Sequence, residues 1–467
     1  MNLNRKTKIV ATIGPASERP EVLTELIKEG MNVARLNFSH GDHAEHMARV
    51  NNIRKLSSKL KSPVAIIGDL QGPKIRIGSV PKEGVPFVEG STVVFDASAK
   101  TYDGKNVPLP SKIFKDGTTK GDVVMFDDGV LSAEVVKVDG SLFTMKVIRG
   151  GTLFSNKGVN VPDLKLSRSV LEKKDKEDIV FAKEAGVDYV AMSFLRTGKD
   201  VLEVKSFLKG TDIKVISKIE RPEALVNIDE IIKESDAIMV ARGDLGVETP
   251  IWALPVRQKE IVDKARMAMK PVIVATQMLD SMIRNPMPTR AEVSDVANAV
   301  YDSADAVMLS GESANGKYPI EAVRMMRKIL EETEKHSPIF SKKLHIELPV
   351  TLSVAKAAKF MAIDLSAKII LAGTAGGYTA RAVSHFRPKV PIVALTSIER
   401  VANQLALVWG VVPLFVKGVK SVDDLPGVAR KVLKEYIEFS SGDRIIFVSG
   451  LKMGAVGQTN NLSVMEI

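Results

Sequence analysis

Six short Val- and Ile-rich runs end in side chains able to handle a charged substrate. The ends are Arg35 and Asn37, Asp69, Lys218 and Glu220, Arg242 and Asp244, Thr276 and Gln277, and Ser310 and Glu312. Alone, each is an ordinary solvated rim residue. Gathered on one face, they would cost desolvation unless something binds among them. Glu220 and Asp244 offer oxygen ligands to a hard cation, and Mg²⁺ takes one or two carboxylates and completes its shell with water and substrate oxygens. No His or Cys accompanies them, which disfavours zinc. Lys218 lies two residues before Glu220 and so on the same face of a strand, where it can reach an anion held by the metal. Arg35 and Arg76 add planar forks suited to phosphate. Metal, lysine and arginine around a phosphoryl group neutralise the charge that phosphoryl transfer develops. A structural ion-pair network is the competing reading of the same residues.

The elements that must bring these ends together follow from the pattern. The runs are 8–14, 31–38, 63–71, 189–194, 214–220, 237–244, 271–278 and 306–312. Continuous apolar runs of this length suit parallel strands buried on both faces. Amphipathic stretches separate them, for example 18–30, 171–186 and 257–270. Ser169 or Ser167 is the expected N-cap of the second of these. Eight strand–helix units predict an α/β fold, a (β/α)8 TIM barrel, whose reactive groups sit at the carboxyl ends of the strands. The rhythm breaks once. Residues 73–162 carry short alternating segments among Gly, Pro and Asp, and predict a small inserted all-β domain, expected to be a β-barrel. Barrel material, 1–72 and 163–335, then totals roughly 245 residues, near the ~250 of the fold. Residues 336–467 predict a C-terminal open α/β domain, with strands in AKIILAGT, PIVALTS, VVPLFVK, DRIIFVSG and NLSVMEI; its role in effector binding and assembly is implied only by the resemblance described below.

Composition narrows the classes. The chain has 467 residues, 45% hydrophobic, with no cysteine, so disulfides and thiolate chemistry are excluded. No run of 18 apolar residues predicts a membrane span, and the first residues lack the form of a signal peptide. A cytoplasmic protein with no membrane partner is expected. The net charge of +10 is spread along the chain with few aromatics among the basic residues, so no nucleic-acid partner is expected. It can attract anionic metabolites.

Longer blocks carry a resemblance. MNVARLNFSHG (31–41), GDLQGPKIRIG (68–78), NKGVNVP (156–162), VISKIERPEAL (215–225), MVARGDLGVE (239–248), residues 275–300 and DAVMLSGESANGKYP (305–319) resemble the signatures of the pyruvate kinase family. The resemblance spans the whole chain, with the family's usual amino-terminal arm expected to be missing or very short. It implies phosphoryl transfer from phosphoenolpyruvate to ADP in glycolysis, giving pyruvate and ATP, with Mg²⁺ or Mn²⁺ as cofactor. It implies that Arg35 and Lys218 bind and stabilise the transferring phosphoryl group, and that Glu220 and Asp244 hold the metal. Gly243 and Asp244 would offer backbone N–H groups to the substrate carboxylate. Thr276 would lie by the enolate, with Ser310 and Glu312 on the proton path. Asn37, His40, Arg76 and Lys157 would contact the nucleotide. The inserted domain would close over the cleft as a lid, with Lys157 and Asp128 as its contributors, although the DDG around Asp128 also reads as a plain turn.

One departure stands out. Many members hold a monovalent cation at positions matching Asn37, Ser39, Asp69 and the Leu70 carbonyl, and carry Glu where this chain has Lys74. The block DLQGPK resembles the potassium-independent branch, in which an ammonium supplies the charge. The loop Thr374, Ala375, Gly376, Gly377, Tyr378 and Thr379 resembles the family's effector cradle for a phosphorylated ligand, with 449–461 a looser match. A homotetramer is implied. The alternative is a metal-dependent aldolase or lyase acting on pyruvate or phosphoenolpyruvate, which would need neither the lid nor Lys157.

Overall fold

The computed structural model describes residues 3, 5–162, 169–336, 348–417, 427, 433–434, 437–450 and 459–467. The eight apolar runs form one closed parallel barrel: Lys8–Thr12, Val33–Asn37, Ala65–Asp69, Tyr189–Met192, Lys214–Ile219, Ala237–Ala241, Val272–Ala275 and Ala306–Leu309. The first strand pairs with both the second and the last, which closes the ring. Side chains alternate between the two faces of each strand. Val10, Val33, Ile67, Ala191, Ile216, Met239, Ile273 and Met308 fill the interior. Their neighbours, such as Ile9, Ala34, Ile66 and Val215, pack outward under the helices. The interior parity continues to the carboxyl ends, and so assigns Arg35, Asn37, Asp69, Lys218 and Glu220 to the mouth of the barrel.

The outward face is tightly filled. An added Cβ on Gly68 would lie 2.7 Å from two ring carbons of the buried Phe38. Gly68→Ala is therefore expected to cost about 1–3 kcal/mol through overpacking, read as a lowered denaturant midpoint at unchanged slope. Helix ends differ from the sequence expectation. The helix expected at 171–186 is Lys173–Ala185, and its N-cap is Glu172, whose backbone N–H donates to Asp175 at 2.9 Å. Ser169 instead accepts from the Leu171 N–H and donates to Glu203, and Ser167 lies outside the described residues. A carboxylate at the cap outcompetes the hydroxyl because it meets the helix dipole with full charge. The last barrel helix, Pro319–His336, ties down the chain start: Glu334 accepts from the backbone N–H groups of Lys6 and Thr7 at 2.8 and 2.6 Å.

Between the third and fourth barrel strands, a separate core of Phe87, Phe95, Phe114, Phe126 and Phe143 forms. It is wrapped by a seven-stranded mixed sheet, a two-stranded ribbon and one short helix, Lys112–Gly117. The end strands, Ile75–Arg76 and Val107–Pro108, are two residues long. They meet where the Gly78 N–H donates to the Pro108 carbonyl at 2.9 Å and Ser79 bridges Thr101. In place of the expected barrel, this is an open mixed sheet whose end strands share no ladder and meet only at these contacts, because Pro108 has no N–H to extend one.

Beyond the barrel, Ile369–Gly373, Ile392–Thr396, Val411–Phe415 and Arg444–Ser449 form a parallel sheet in the order third, second, first, fourth, with Asn461–Glu466 antiparallel at the edge. The helix expected between the third and fourth strands falls largely outside the described residues. This domain supplies the barrel's floor. Ala406 and Leu407, following the helix Glu399–Leu405, enter the barrel's interior core. Tyr189 donates to the Gln404 carbonyl at 2.9 Å, and Lys8 donates to the Val411 carbonyl at 2.6 Å. Among the described residues no helix is long and apolar enough to cross a membrane.

Candidate active site

The carboxyl ends of strands two, three, four and five build one charged cluster. Arg35 donates to Asp69 at 2.6 Å and to the Thr12 hydroxyl at 3.0 Å. Lys218 lies 3.4 Å from the other Asp69 oxygen and 2.8 Å from Glu220, and donates to the Ser193 hydroxyl at 2.7 Å. Ser193 in turn donates to the Leu70 carbonyl at 2.9 Å. Burial pushes the Asp69 carboxyl up, but Lys218 and Arg35 outweigh it and hold it below the ordinary value. Burial pushes Lys218 down, and Asp69 with Glu220 more than reverse this. The ammonium is therefore fixed as a cation across the working pH range.

Glu220 is held from behind. One oxygen accepts from the Phe194 N–H at 2.7 Å, and Phe194 takes a left-handed backbone (φ 57°) to deliver it. The other oxygen faces Lys218 as an ion pair without an aligned hydrogen bond, and so stays short of donors. Burial raises the Glu220 carboxyl despite Lys218, and Asp244 adds to the rise. Two facing carboxylates, one with an under-satisfied buried oxygen, fit a hard divalent ion that draws its remaining ligands from water and substrate.

Asp244 belongs to the short helix Arg242–Glu248 at the end of strand six. Its Oδ1 lies 3.5 Å from the Lys74 ammonium, which arrives from the loop leading into the lid. The Gly243 N–H, expected to face a substrate carboxylate, donates here to the Thr276 hydroxyl at 2.8 Å. Thr276 and Gln277 both have left-handed backbones, φ 71° and 53°. Arg242 clamps this strained turn, donating to the Thr276 carbonyl at 2.6 Å and pairing with Asp295 at 2.7 Å. Non-Gly residues in this region cost about 1–3 kcal/mol and gather at functional sites.

The residues expected on the nucleotide side form a looser group. Burial first, then Arg76, Arg35 and Lys74, lower the His40 imidazole, so that ring is neutral near pH 7. The Asn37 side chain accepts from the Ser39 N–H at 3.2 Å. Arg76 donates to the Asn156 carbonyl at 3.0 Å, and Lys157 pairs with Asp127 at 2.7 Å. Asp127 and Asp128 both adopt left-handed turn geometry, φ 51° and 54°. Ser310 and Glu312 sit together, yet Glu312 is buried and spends both oxygens on backbone N–H groups, of Ser310 at 2.7 Å and Leu279 at 3.1 Å. In this arrangement it shapes the end of strand eight. The loop 374–379 follows the first C-terminal strand, with Gly377 left-handed at the helix start (φ 80°). Of the matching segment 449–461, residues 451–458 lie outside the described residues.

Sequence reasoning passed over Ser193, and also Asn160, which donates to Glu248 at 2.8 Å and links lid to barrel. Strand four was the one late strand given no reactive end, and its interior parity would have pointed to Ser193. Ser193→Ala removes a hydroxyl that orients a buried ammonium, an interaction of about 1.5–3 kcal/mol. Turnover is expected to fall at least tenfold, with the thermal midpoint lowered by a few degrees, measured by steady-state kinetics alongside calorimetry.

Known proteins resemble this chain over nearly its whole length. A family described as "Pyruvate kinase, barrel domain" matches residues 4–323, and "Pyruvate kinase, alpha/beta domain" matches residues 352–465. A pyruvate kinase of Agrobacterium vitis is 44% identical over 99% of this chain and 97% of its own length. One from Geobacillus stearothermophilus is 44% identical over 100% of this chain and 81% of its own. A crystal structure of a pyruvate kinase from Cryptosporidium parvum superimposes with a TM-score of 0.90 at 35% identity, covering 99% of this chain and 96% of that one. With both halves of the chain matched and full-length relatives above 40% identity, the chain belongs to the pyruvate kinase family.

Proposed function

We propose that this chain moves the phosphoryl group of phosphoenolpyruvate to ADP at the Arg35–Asp69–Lys218–Glu220 cluster, without a monovalent cation. The observation that carries the reading is the Lys218 ammonium, held between two buried carboxylates at the mouth of the barrel. On substrate binding this ammonium would share its charge with a phosphoryl oxygen and the enolate oxygen behind it. Arg35, braced by Asp69, binds the same phosphoryl group from the side. Attack by a β-phosphate oxygen of ADP on phosphorus breaks the bond to the enolate oxygen, and both cations offset the charge left on it. The enolate carbon then takes a proton on the Thr276 side, through water bordered by Ser310 and Glu312.

Glu220 and Asp244 would hold Mg²⁺ or Mn²⁺, which when bound supplies Lewis-acid neutralisation of substrate oxygens. Asn37, His40, Arg76 and Lys157 would receive the nucleotide, and closure of the lid would exclude water from the transferring group. Lys74 beside Asp244 supports the absence of a K⁺ requirement: its ammonium supplies positive charge at the rim where the region Asn37, Ser39, Asp69 and Leu70 would otherwise bind the ion. The loop 374–379, at the carboxyl end of a parallel strand, suits a phosphorylated effector. A cytoplasmic homotetramer completes the reading.

A coupled assay for pyruvate tests it. Pyruvate is expected from phosphoenolpyruvate only when ADP is present, and equally in sodium and potassium buffers. Release of pyruvate without ADP would instead favour a lyase or aldolase.

A further inference from the structure

A cavity of about 140 Å³ lies beneath the barrel, where the starts of strands five and seven meet the carboxyl-terminal domain. Its charge is one-sided. Lys214 opens strand five with the interior parity of Ile216, at the opposite end from Lys218, and Lys270 precedes strand seven. Arg381 enters from the helix Tyr378–His385. The single carboxylate in the wall, Asp236, accepts from the Val215 N–H at 3.0 Å and also faces Lys205 at 3.5 Å.

The cations are poorly satisfied. Lys270 donates to the Ser235 and Lys233 carbonyls. Among the described residues the Arg381 guanidinium makes one long hydrogen bond, 3.4 Å to the Gly376 carbonyl, and packs 5.9 Å from the Tyr378 ring. Among the described residues Lys214 has neither an ion pair nor a hydrogen bond from its ammonium. Burial, then the neighbouring Arg381, lowers Lys214 to about 8. Three partly desolvated cations around one shared carboxylate are unfavourable unless an anion joins them.

We propose that this cavity binds a phosphate monoester, with its phosphoryl oxygens among Lys214, Lys270 and Arg381 and its carbon body against Met269, Leu405 and Val408. A dianion matches the excess of positive charge, and the planar Arg381 fork suits two phosphoryl oxygens at once. A cavity of about 150 Å³ admits benzene, so this one takes a phosphoryl group with two or three carbons. The site borders the 374–379 loop, sharing Tyr378 with it, but takes its charge from other residues. That loop would use backbone N–H groups, whereas this one uses side chains from both domains.

Calorimetric titration of the full chain with inorganic phosphate and with glycerol 3-phosphate, under saturating Mg²⁺, oxalate and ATP so that the phosphoryl-transfer site is filled without a phosphate monoester, tests the proposal. Both probes are expected to bind, the ester more tightly because of the apolar wall. Lys214→Met and Arg381→Met should each weaken binding at least tenfold, Arg381→Lys less, and Thr374→Val not at all. Equal affinity of the two probes would remove the carbon-body part of the proposal and leave a phosphate site. Should the Met variants fail to fold, acetylation of the unmodified protein gives a second readout: glycerol 3-phosphate should protect Lys214 and Lys270 from acetic anhydride, scored by peptide mass spectrometry. No protection, or undiminished binding by a folded Arg381→Met protein, overturns the site.

Discussion

Lys218→Met is expected to lower kcat about 10³-fold while divalent-metal binding stays within threefold of the unsubstituted protein or tightens. The reasoning starts from the cluster. Lys218 is the cation shared by Asp69 and Glu220, at 3.4 and 2.8 Å. Its charge sits where phosphoryl transfer and the departing enolate both develop negative charge. Removing one preorganised donor from such a site costs about 10²–10³ in rate, and losing a full cation at a phosphoryl group costs 10³–10⁵. Methionine keeps the length of the side chain and leaves little cavity. What it leaves is Asp69 with Arg35 and Glu220 with only the Phe194 N–H, a loss of about 3–5 kcal/mol when a buried pair is broken. A divalent ion at Glu220 and Asp244 then repays more than before, so Mg²⁺ should raise the melting temperature of the variant by more than it raises that of the parent. Mn²⁺ titration, single-turnover kinetics and calorimetry read the three effects. Turnover within tenfold of the parent would remove Lys218 from the chemistry.

The second large effect concerns Lys74. The unsubstituted chain should run at the same rate, within twofold, with or without K⁺. Lys74→Glu should lose about 10²-fold in K⁺-free buffer and recover most of it when K⁺ is added. The substitution puts a carboxylate within reach of Asp244, where the ammonium now stands at 3.5 Å. Unit charges about 4 Å apart near a protein surface interact by about 4 kcal/mol, so exchanging attraction for repulsion is ample to impair a metal-bearing site. A monovalent ion near the two carboxylates restores the sign of the field. Strict K⁺ dependence of the parent, or K⁺-insensitive activity in the variant, would contradict this assignment.

The barrel and the mouth residues were legible because the signals are local. Each strand is a buried apolar run, and the polar residue that ends it keeps the parity of the core residues before it. Lys218 and Glu220 illustrate this, since spacing alone put them on one face. Ser193 was missed because serine after an apolar run is common and carries no charge to draw notice. Its importance comes from Leu70 and Lys218, residues far away in the chain. Glu312 shows a contact that spacing did not reveal. The resemblance implied a place on the proton path, and the structure adds two backbone N–H groups that occupy both its oxygens. The Glu172 cap was obscured by serines nearby, and the seam of the lid depends on Gly78 meeting Pro108 across 30 positions, which no periodicity encodes. The docking of Leu407 under the barrel was equally invisible, because one leucine in a helix end looks like any other.

That leucine has a consequence during synthesis. The barrel's last helix ends at His336, and the residue that stoppers its lower opening is Leu407. At roughly 5–20 residues per second, a nascent barrel waits several seconds on the ribosome with its greasy underside open, and longer still until the strand Arg444–Ser449 completes the sheet that holds the stopper in place. A ribosome stalled in that interval would release an aggregation-prone, bottomless cylinder, so expression yield of this enzyme should track translation speed through codons 337–449 more closely than the stability of the finished fold.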